Sequence, residues 1–309
     1  MTQILKMTNN NIYLKNLAPI CIFAYNRPDT LEKLIISLNE NDLAKESDLY
    51  IFSDGHKKET EIDAVNEVRK YIHSISGFKS ITIKESSINK GLANSVIDGV
   101  TEVITKYNKI IVLEDDLVLS ENFLVFMNKA LDYYEMNEKV FSISGYSKLM
   151  KNIKDDIYFT KRASSLGWGT WLNRWNLIDW NINDYNSFIH NRKRQKEFNR
   201  MGSDMTRMLK NQMKGEINSW AIRWCYNQFL MNKYSVYPTV SKVQHNGTDS
   251  RATHAAGQRD RFHTTLDTSL ATNFKFVNNV ELDKHYLSQF LKQYSLLTRL
   301  KYKILNKLL

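Results

Sequence analysis

A chain of 309 residues with 42% hydrophobic and 12% aromatic content can bury a sizeable core as one large domain or two small ones, which excludes a disordered tether. Its formal charge of +10 favours polyanionic partners, whether nucleic acid, an anionic membrane surface or a phosphorylated substrate. The two cysteines, Cys21 and Cys225, are too few and too far apart for a disulfide framework or a cysteine-ligated metal cluster, so a reducing compartment is expected.

In chain order, Met1 to Asn16 is too rich in Asn, Thr and Lys to hold the apolar centre of a signal peptide, and no later run is long enough to span a membrane. A soluble or peripheral cytoplasmic protein is expected. Four short apolar runs follow at similar intervals: Ile20 to Ala24, Leu49 to Phe52, Ile81 to Ile83 and Ile110 to Leu113. Between them, Leu31, Leu34, Ile35 and Leu38, then Ile62, Val65, Val68 and Ile72, then Leu92, Val96, Val100 and Val103 recur at helical spacing. Strand and helix alternating in this way predict an α/β fold with a mostly parallel sheet flanked by helices.

Polar chemistry follows each strand: Asn26-Arg27, Asp54-Gly55-His56, Asn89-Lys90-Gly91 and Glu114-Asp115-Asp116. Open α/β sheets bind ligands outside these carboxyl ends. Three adjacent carboxylates repel one another, so the last group calls for solvent, cationic side chains or a divalent cation such as Mg²⁺ or Mn²⁺. Beyond Ser120 a helix is predicted through Phe123, Phe126, Met127, Ala130 and Leu131, then a strand from Val140 to Ser144. From Tyr158 to about His263 the chain is rich in Trp, Arg and Asn. Among Trp168, Trp171, Trp175 and Trp180, the three- and four-residue spacing of the first three predicts a helix, with most of the four rings in the core and Trp168 available to a sugar acceptor. From His285 to Leu309, apolar residues interleave with Lys292, Arg299, Lys301, Lys303 and Lys307, predicting a basic amphipathic helix suited to an anionic membrane surface.

The order of motifs from about Pro19 to His254 resembles the GT-A fold glycosyltransferases, in particular the N-acetylglucosaminyltransferase I type and its bacterial relatives. The resemblance rests on Phe23-Ala24-Tyr25-Asn26-Arg27, Phe52-Ser53-Asp54-Gly55-His56, the strand-terminal Glu114-Asp115-Asp116 and Leu166-Gly167-Trp168. It implies a Rossmann-like GT-A fold with a nucleotide-sugar-binding half at 18–118, an acceptor or catalytic half at 119–263 and a C-terminal helical extension at 264–309. It further implies that Asp116 binds Mn²⁺ or Mg²⁺, Asp115 the ribose, Glu114 the transferred sugar and Asp54 the uracil edge, with Arg27 near the nucleotide. Lys90 would add to neutralisation of the diphosphate, and the cation would stabilise charge on the departing group.

At the catalytic base the chain departs from the family, because Asn218-Ser219 precedes Trp220 where an acidic pair is expected. Glu216 is the nearest substitute, with Asp204 and Asp249 as rivals. The segment from Val243 to His254 is similar to a loop that closes over donor, in which His245 or His254 would complete the metal shell and Arg251 would contact the diphosphate. The function so implied is inverting transfer of N-acetylglucosamine or another hexose from a UDP-sugar to a glycan or lipid-linked acceptor, at the inner face of the cell membrane, in surface polysaccharide synthesis. The alternatives are a nucleotidyltransferase, against which Ala24 to Thr30 offers no glycine-rich phosphate loop, and a nucleotide-sugar or glycan-binding scaffold that has lost catalysis. No nucleic-acid-binding motif is found, and nucleic acid is not an expected partner.

Overall fold

The computed structural model describes residues 16–246, 262 and 264–306. The strands are β1 (Ile20–Ala24), β2 (Asp48–Ser53), β3 (Ser80–Glu85), β4 (Lys109–Glu114), β5 (Leu117–Leu119), β6 (Val140–Ser144), β7 (Ile157–Thr160), β8 (Trp168–Trp171), β9 (Tyr234–Pro238) and β10 (Val243–His245). The principal helices are α1 (Pro28–Asn39), α2 (Ile62–Ile72), α3 (Leu92–Tyr107), α4 (Phe123–Tyr134), α5 (Leu172–Trp175), α6 (Tyr185–Ile189), α7 (Arg192–Phe198), α8 (Met205–Met213), α9 (Trp220–Leu230), α10 (Lys284–Lys292) and α11 (Leu296–Leu305).

Eight strands form one sheet in the order β3-β2-β1-β4-β8-β6-β9-β7. The pairings make β8 and β7 antiparallel to the other six, so the sheet is mostly parallel, as expected. Alternation along the central strands divides the core. Ile20, Ile22, Ile111 and Leu113 pack with α1, α2, α4 and α10, whereas Cys21, Phe23, Ile110 and Val112 pack with α3 and α9. A smaller cluster, including Phe188, Phe198, Leu209, Ile222 and Tyr226, gathers α6 to α9 into a helical annex.

Two local devices aim the strand ends. Pro28 occupies the first turn of α1, so the chain turns into helix directly after Arg27, whose carbonyl accepts from the Leu31 N–H at 3.2 Å. Asn108 stops α3 in the left-handed conformation at φ 65° and donates its N–H to the Ile104 carbonyl at 2.8 Å, delivering the chain into β4.

The tryptophan segment differs from the helix its spacing predicts. Trp168 and Trp171 lie on β8, wedged between β4 and β6, while Trp175 ends the short helix α5. Gly169 permits this insertion, because a Cβ there would stand 2.9 Å from the Ile110 carbonyl oxygen. Trp168 is 2% exposed and stacks on Trp220 at 4.8 Å and Trp175 at 6.0 Å, so it belongs to the core and offers no wall to a sugar acceptor.

The C-terminal segment is two helices, not one. Gln293 and Ser295 interrupt it, and Ser295 Oγ caps α11 by accepting from the Thr298 N–H at 3.2 Å. Tyr286 and Phe290 of α10 are buried in the main core, whereas α11 buries no residue. Among the described residues, no helix is long and apolar enough to cross a membrane.

Candidate active site

β4 places Glu114 at its end, and Asp115 and Asp116 form the turn into β5. β5 leaves the large sheet and pairs antiparallel with β10, setting Leu117 opposite His245, while the Asn246 N–H reaches the Asp116 carbonyl at 2.8 Å. The ribbon thereby places His245 Nε2 3.3 Å from Asp116 Oδ2. Asp116 and His245, well over a hundred positions apart, become neighbours through the three residue pairs of this one ribbon.

From the end of β1, Arg27 Nη2 donates to Asp115 Oδ1 at 2.6 Å and to Asp116 Oδ2 at 2.9 Å. The Tyr25 N–H supplies the other Asp115 oxygen at 3.1 Å. Of the buried side-chain polar atoms without a hydrogen-bond partner among the described residues, two lie in this cluster: Arg27 Nη1, a donor, and Asp116 Oδ1, an acceptor. Buried polar atoms are ordinarily satisfied, so a group placed here could accept from the first and coordinate to the second.

The electrostatics agree with that reading. Burial raises the Glu114 pKa to about 8, with the charges of Asp116 and Asp115 adding to the effect. Burial also raises Asp115, to about 6, despite the offsetting Arg27 charge. Burial opposes ionisation of Asp116 as well, but hydrogen bonding from His245 and the charges of His245 and Arg27 outweigh it and hold Asp116 below the ordinary aspartate value. Asp116 is thus the member of the trio most ready to meet a cation as a carboxylate.

A divalent cation fits the donor set. Asp116 Oδ1 is an open carboxylate oxygen, and an imidazole stands beside the same side chain. Among the described residues no cluster of three His, Cys, Asp or Glu groups is preassembled around one point, so the remaining coordination would come from the ligand or from water.

At the second and third strand ends, Asp54 is a brace. Its Oδ1 accepts from the N–H groups of Gly55 at 3.0 Å and Lys90 at 2.8 Å, and its Oδ2 from Gly91 at 2.8 Å. Gly55 lets the two loops touch, since a Cβ there would lie 2.5 Å from the Ile88 carbonyl carbon. The uracil-reading role expected of Asp54 falls to a carboxylate that already holds three backbone donors. The Lys90 ammonium pairs with Asp98 at 3.2 Å on the exposed side of α3, and only its backbone joins the strand-end assembly.

The candidate bases are placed apart. Glu216 lies on the exposed turn between α8 and α9, 3.6 Å from Lys214. Asp204 is buried, and Arg162 grips both its oxygens at 2.8 and 3.1 Å, which removes it as a proton acceptor and corrects that expectation. Ser219, at the position expected to be acidic, caps α9 by accepting from the Ile222 N–H at 3.3 Å. Arg251, Asp249 and His254 lie outside the described residues.

Tyr25 is a further contributor to the site. Its hydroxyl donates to Glu61 Oε2 at 2.7 Å and accepts from the Lys57 N–H at 2.9 Å, while its own N–H holds Asp115. Burial and the bond to Glu61 raise its pKa to about 12, so the hydroxyl keeps its proton and the brace. No sequence signal marks it, because Glu61 and Asp115 are both remote along the chain.

No protein-family model matches this chain, and no curated protein is significantly similar to it. Among solved structures, a match to S. aureus TarS covers 45% of this chain and 22% of that one, with 15% identity and a TM-score of 0.31. A match to residues 1–349 of TarS covers 73% and 58%, with 10% identity and a TM-score of 0.39. A third, to the mannosyltransferase PcManGT from Pyrobaculum calidifontis in complex with GDP-Man and Mn²⁺, covers 52% and 46%, with 11% identity and a TM-score of 0.36. The chain spans less than two thirds of the length of each, and likeness this slight assigns neither family nor activity.

Proposed function

We propose that this chain is a metal-dependent glycosyltransferase that moves N-acetylglucosamine or another hexose from a UDP-sugar to a glycan or lipid-linked acceptor, with inversion, in surface polysaccharide synthesis at the inner face of the cell membrane. One observation carries the reading: an open buried acceptor, Asp116 Oδ1, and an open buried donor, Arg27 Nη1, lie in one ion-paired cluster at the carboxyl ends of parallel strands. A divalent cation would be held by the first, and a phosphate oxygen by the second.

In this proposal Asp116 holds Mn²⁺ or Mg²⁺, with His245 beside it. The bound cation supplies charge neutralisation for the departing diphosphate. Arg27 fixes Asp115 and Asp116 through Nη2 and offers Nη1 to a phosphate. Asp115, locked by Tyr25 and Arg27, presents a fixed edge to the ribose, and Glu114 contacts the transferred sugar. The Asp54 brace shapes the loop beside the base. Residues 18–118 form the nucleotide-sugar half in this scheme and 119–263 the acceptor half, with Glu216 as the base that takes the acceptor proton.

A catalytically silent nucleotide-sugar-binding scaffold is the second reading, and the use of Ser219 as a helix cap where an acid is expected favours it. Calorimetric titration with UDP, GDP and CMP, each with and without Mn²⁺, tests both. The expected result is binding of UDP alone, and only with Mn²⁺. Equal binding without the metal would remove the role assigned to Asp116, and binding of none would remove the nucleotide site. Release of UDP from a UDP-sugar in the presence of acceptor then separates enzyme from scaffold.

A further inference from the structure

α11 carries Leu296, Leu297, Leu300 and Ile304 at 69%, 81%, 56% and 52% exposure. At about 100° per residue these four side chains occupy one arc about 100° wide, the width of an ordinary core-facing stripe. Here the stripe faces solvent. The opposite side of the helix does the packing: Thr298, Arg299, Tyr302 and Leu305 are half-buried, and Arg299 Nη1 donates to Ser203 Oγ at 2.9 Å. The helix is therefore moored to the body with its leucines outward, an orientation water disfavours.

Charge identifies what covers the stripe. Lys303 falls about 20° beyond one edge of the arc and Lys301 about 40° beyond the other, and both are exposed. No Asp or Glu occurs from Lys284 to Asn306, within a chain of formal charge +10. An apolar arc flanked on both sides by lysines matches a surface that is apolar within and anionic at its rim, which is the cross-section of an anionic bilayer interface. We propose that α11, and not the C-terminal segment as a whole, is a membrane-docking helix lying in the plane of an anionic phospholipid surface. Leu296, Leu297, Leu300 and Ile304 enter the headgroup boundary, and Lys301 and Lys303 meet lipid phosphates. α10 takes no part, because its apolar face is spent on the core through Tyr286 and Phe290. The proposal stands on α11 alone and does not depend on the glycosyltransferase reading.

The test is flotation of the full chain with phosphatidylglycerol-containing vesicles and with pure phosphatidylcholine vesicles. The wild-type protein should float with the first and stay behind with the second. Leu297→Asp/Leu300→Asp and Lys301→Glu/Lys303→Glu should each weaken binding at least about tenfold, with unchanged circular dichroism and an unchanged urea midpoint. The proposal is overturned if the wild-type chain ignores anionic vesicles, or if the leucine variant floats as well as the wild type. It is also overturned if light scattering shows a dimer that the leucine variant dissolves while vesicle binding is absent, since the stripe would then belong to a second copy of this chain.

Discussion

Two arginines pair with buried aspartates in this molecule, and they end in opposite ways. Arg162 is closed: Nη1 and Nη2 meet both oxygens of Asp204, Nη1 also reaches the Met201 carbonyl at 3.3 Å, and the guanidinium lies 3.7 Å from the Tyr294 ring centroid. Arg27 is open: one nitrogen serves two aspartates, the other serves none among the described residues, and one Asp116 oxygen is likewise left over. A closed pair spends its charges on holding the helical annex and the C-terminal segment to the sheet. An open pair keeps one donor and one acceptor for something else. The two pairs therefore differ in hydrogen-bonding capacity, which the closed pair uses up and the open pair keeps.

The largest effect is expected at the closed pair. Asp204→Ala strands Arg162 as an uncompensated buried cation and should cost about 3–5 kcal/mol, read as a lowered urea midpoint with unchanged slope. Nucleotide titration well below the new midpoint should be unaltered. A cost below about 1 kcal/mol would show that the closed pair is not structural and would break the comparison.

At the open pair the same chemical change should act mainly on ligand binding. Asp116→Ala removes one of three mutually repelling carboxylates and leaves Arg27 paired with Asp115. Thermal stability in metal-free buffer should fall far less than for Asp204→Ala, because relief of the repulsion on Glu114 and Asp115 offsets the lost contacts to Arg27 and His245. In the wild-type protein Mn²⁺ with UDP should raise the melting temperature by ligand linkage, about 2.7 kcal/mol at ligand a hundredfold above Kd. In the variant that rise should vanish. A variant that melts far below the wild type, yet still gains stability from Mn²⁺ and UDP, would assign Asp116 to the scaffold.

How much of this was legible depended on the range of the interactions. β1 to β4 and α1 to α3 are local patterns, with apolar runs alternating with helical periodicity, and the sequence marks them without help from tertiary structure. The strand at Val140 was marked for the same reason. β8 was not, because Trp168-Gly169-Thr170-Trp171 carries a turn-like glycine and a helix-like spacing, and only its partners on β4 and β6 make it a strand. The acid trio and Arg27 were visible as residue types at strand ends. Their mutual geometry was not, since it needs β1 beside β4 and the ribbon of β5 and β10. In the tail, apolar periodicity continues past the cap Ser295, so the sequence pattern alone does not separate α10, which faces the core, from α11, which faces solvent.

A third pair lies between the two extremes and yields the smallest effect. Lys242, three residues before His245, bonds to Asp267, which also accepts from Asn122 Nδ2 at 2.9 Å and from the Ser269 N–H at 2.8 Å. The contact ties residues 264–272 to the start of β10, and so steadies the ribbon that brings His245 to Asp116. Burial works against the Asp267 carboxylate, but Asn122, Lys242 and Ser269 hold its pKa well below the ordinary aspartate value. Burial leaves Lys242 below the ordinary lysine value, so the amine bears the cost of the pair while the carboxylate is stabilised. Lys242 stays protonated in folded and unfolded chain alike across the acid range and adds no slope there. Asp267 alone sets the sign: its contribution is complete above the unfolded aspartate pKa of about 3.9 and is lost as pH falls below it. Asp267→Asn should therefore lower stability near neutral pH, and the gap to the wild type, followed by urea unfolding, should narrow as the pH is taken below about 4. A gap that stays constant through that window would show that the carboxylate charge contributes nothing, leaving the Asn122 and Ser269 bonds to hold the ribbon.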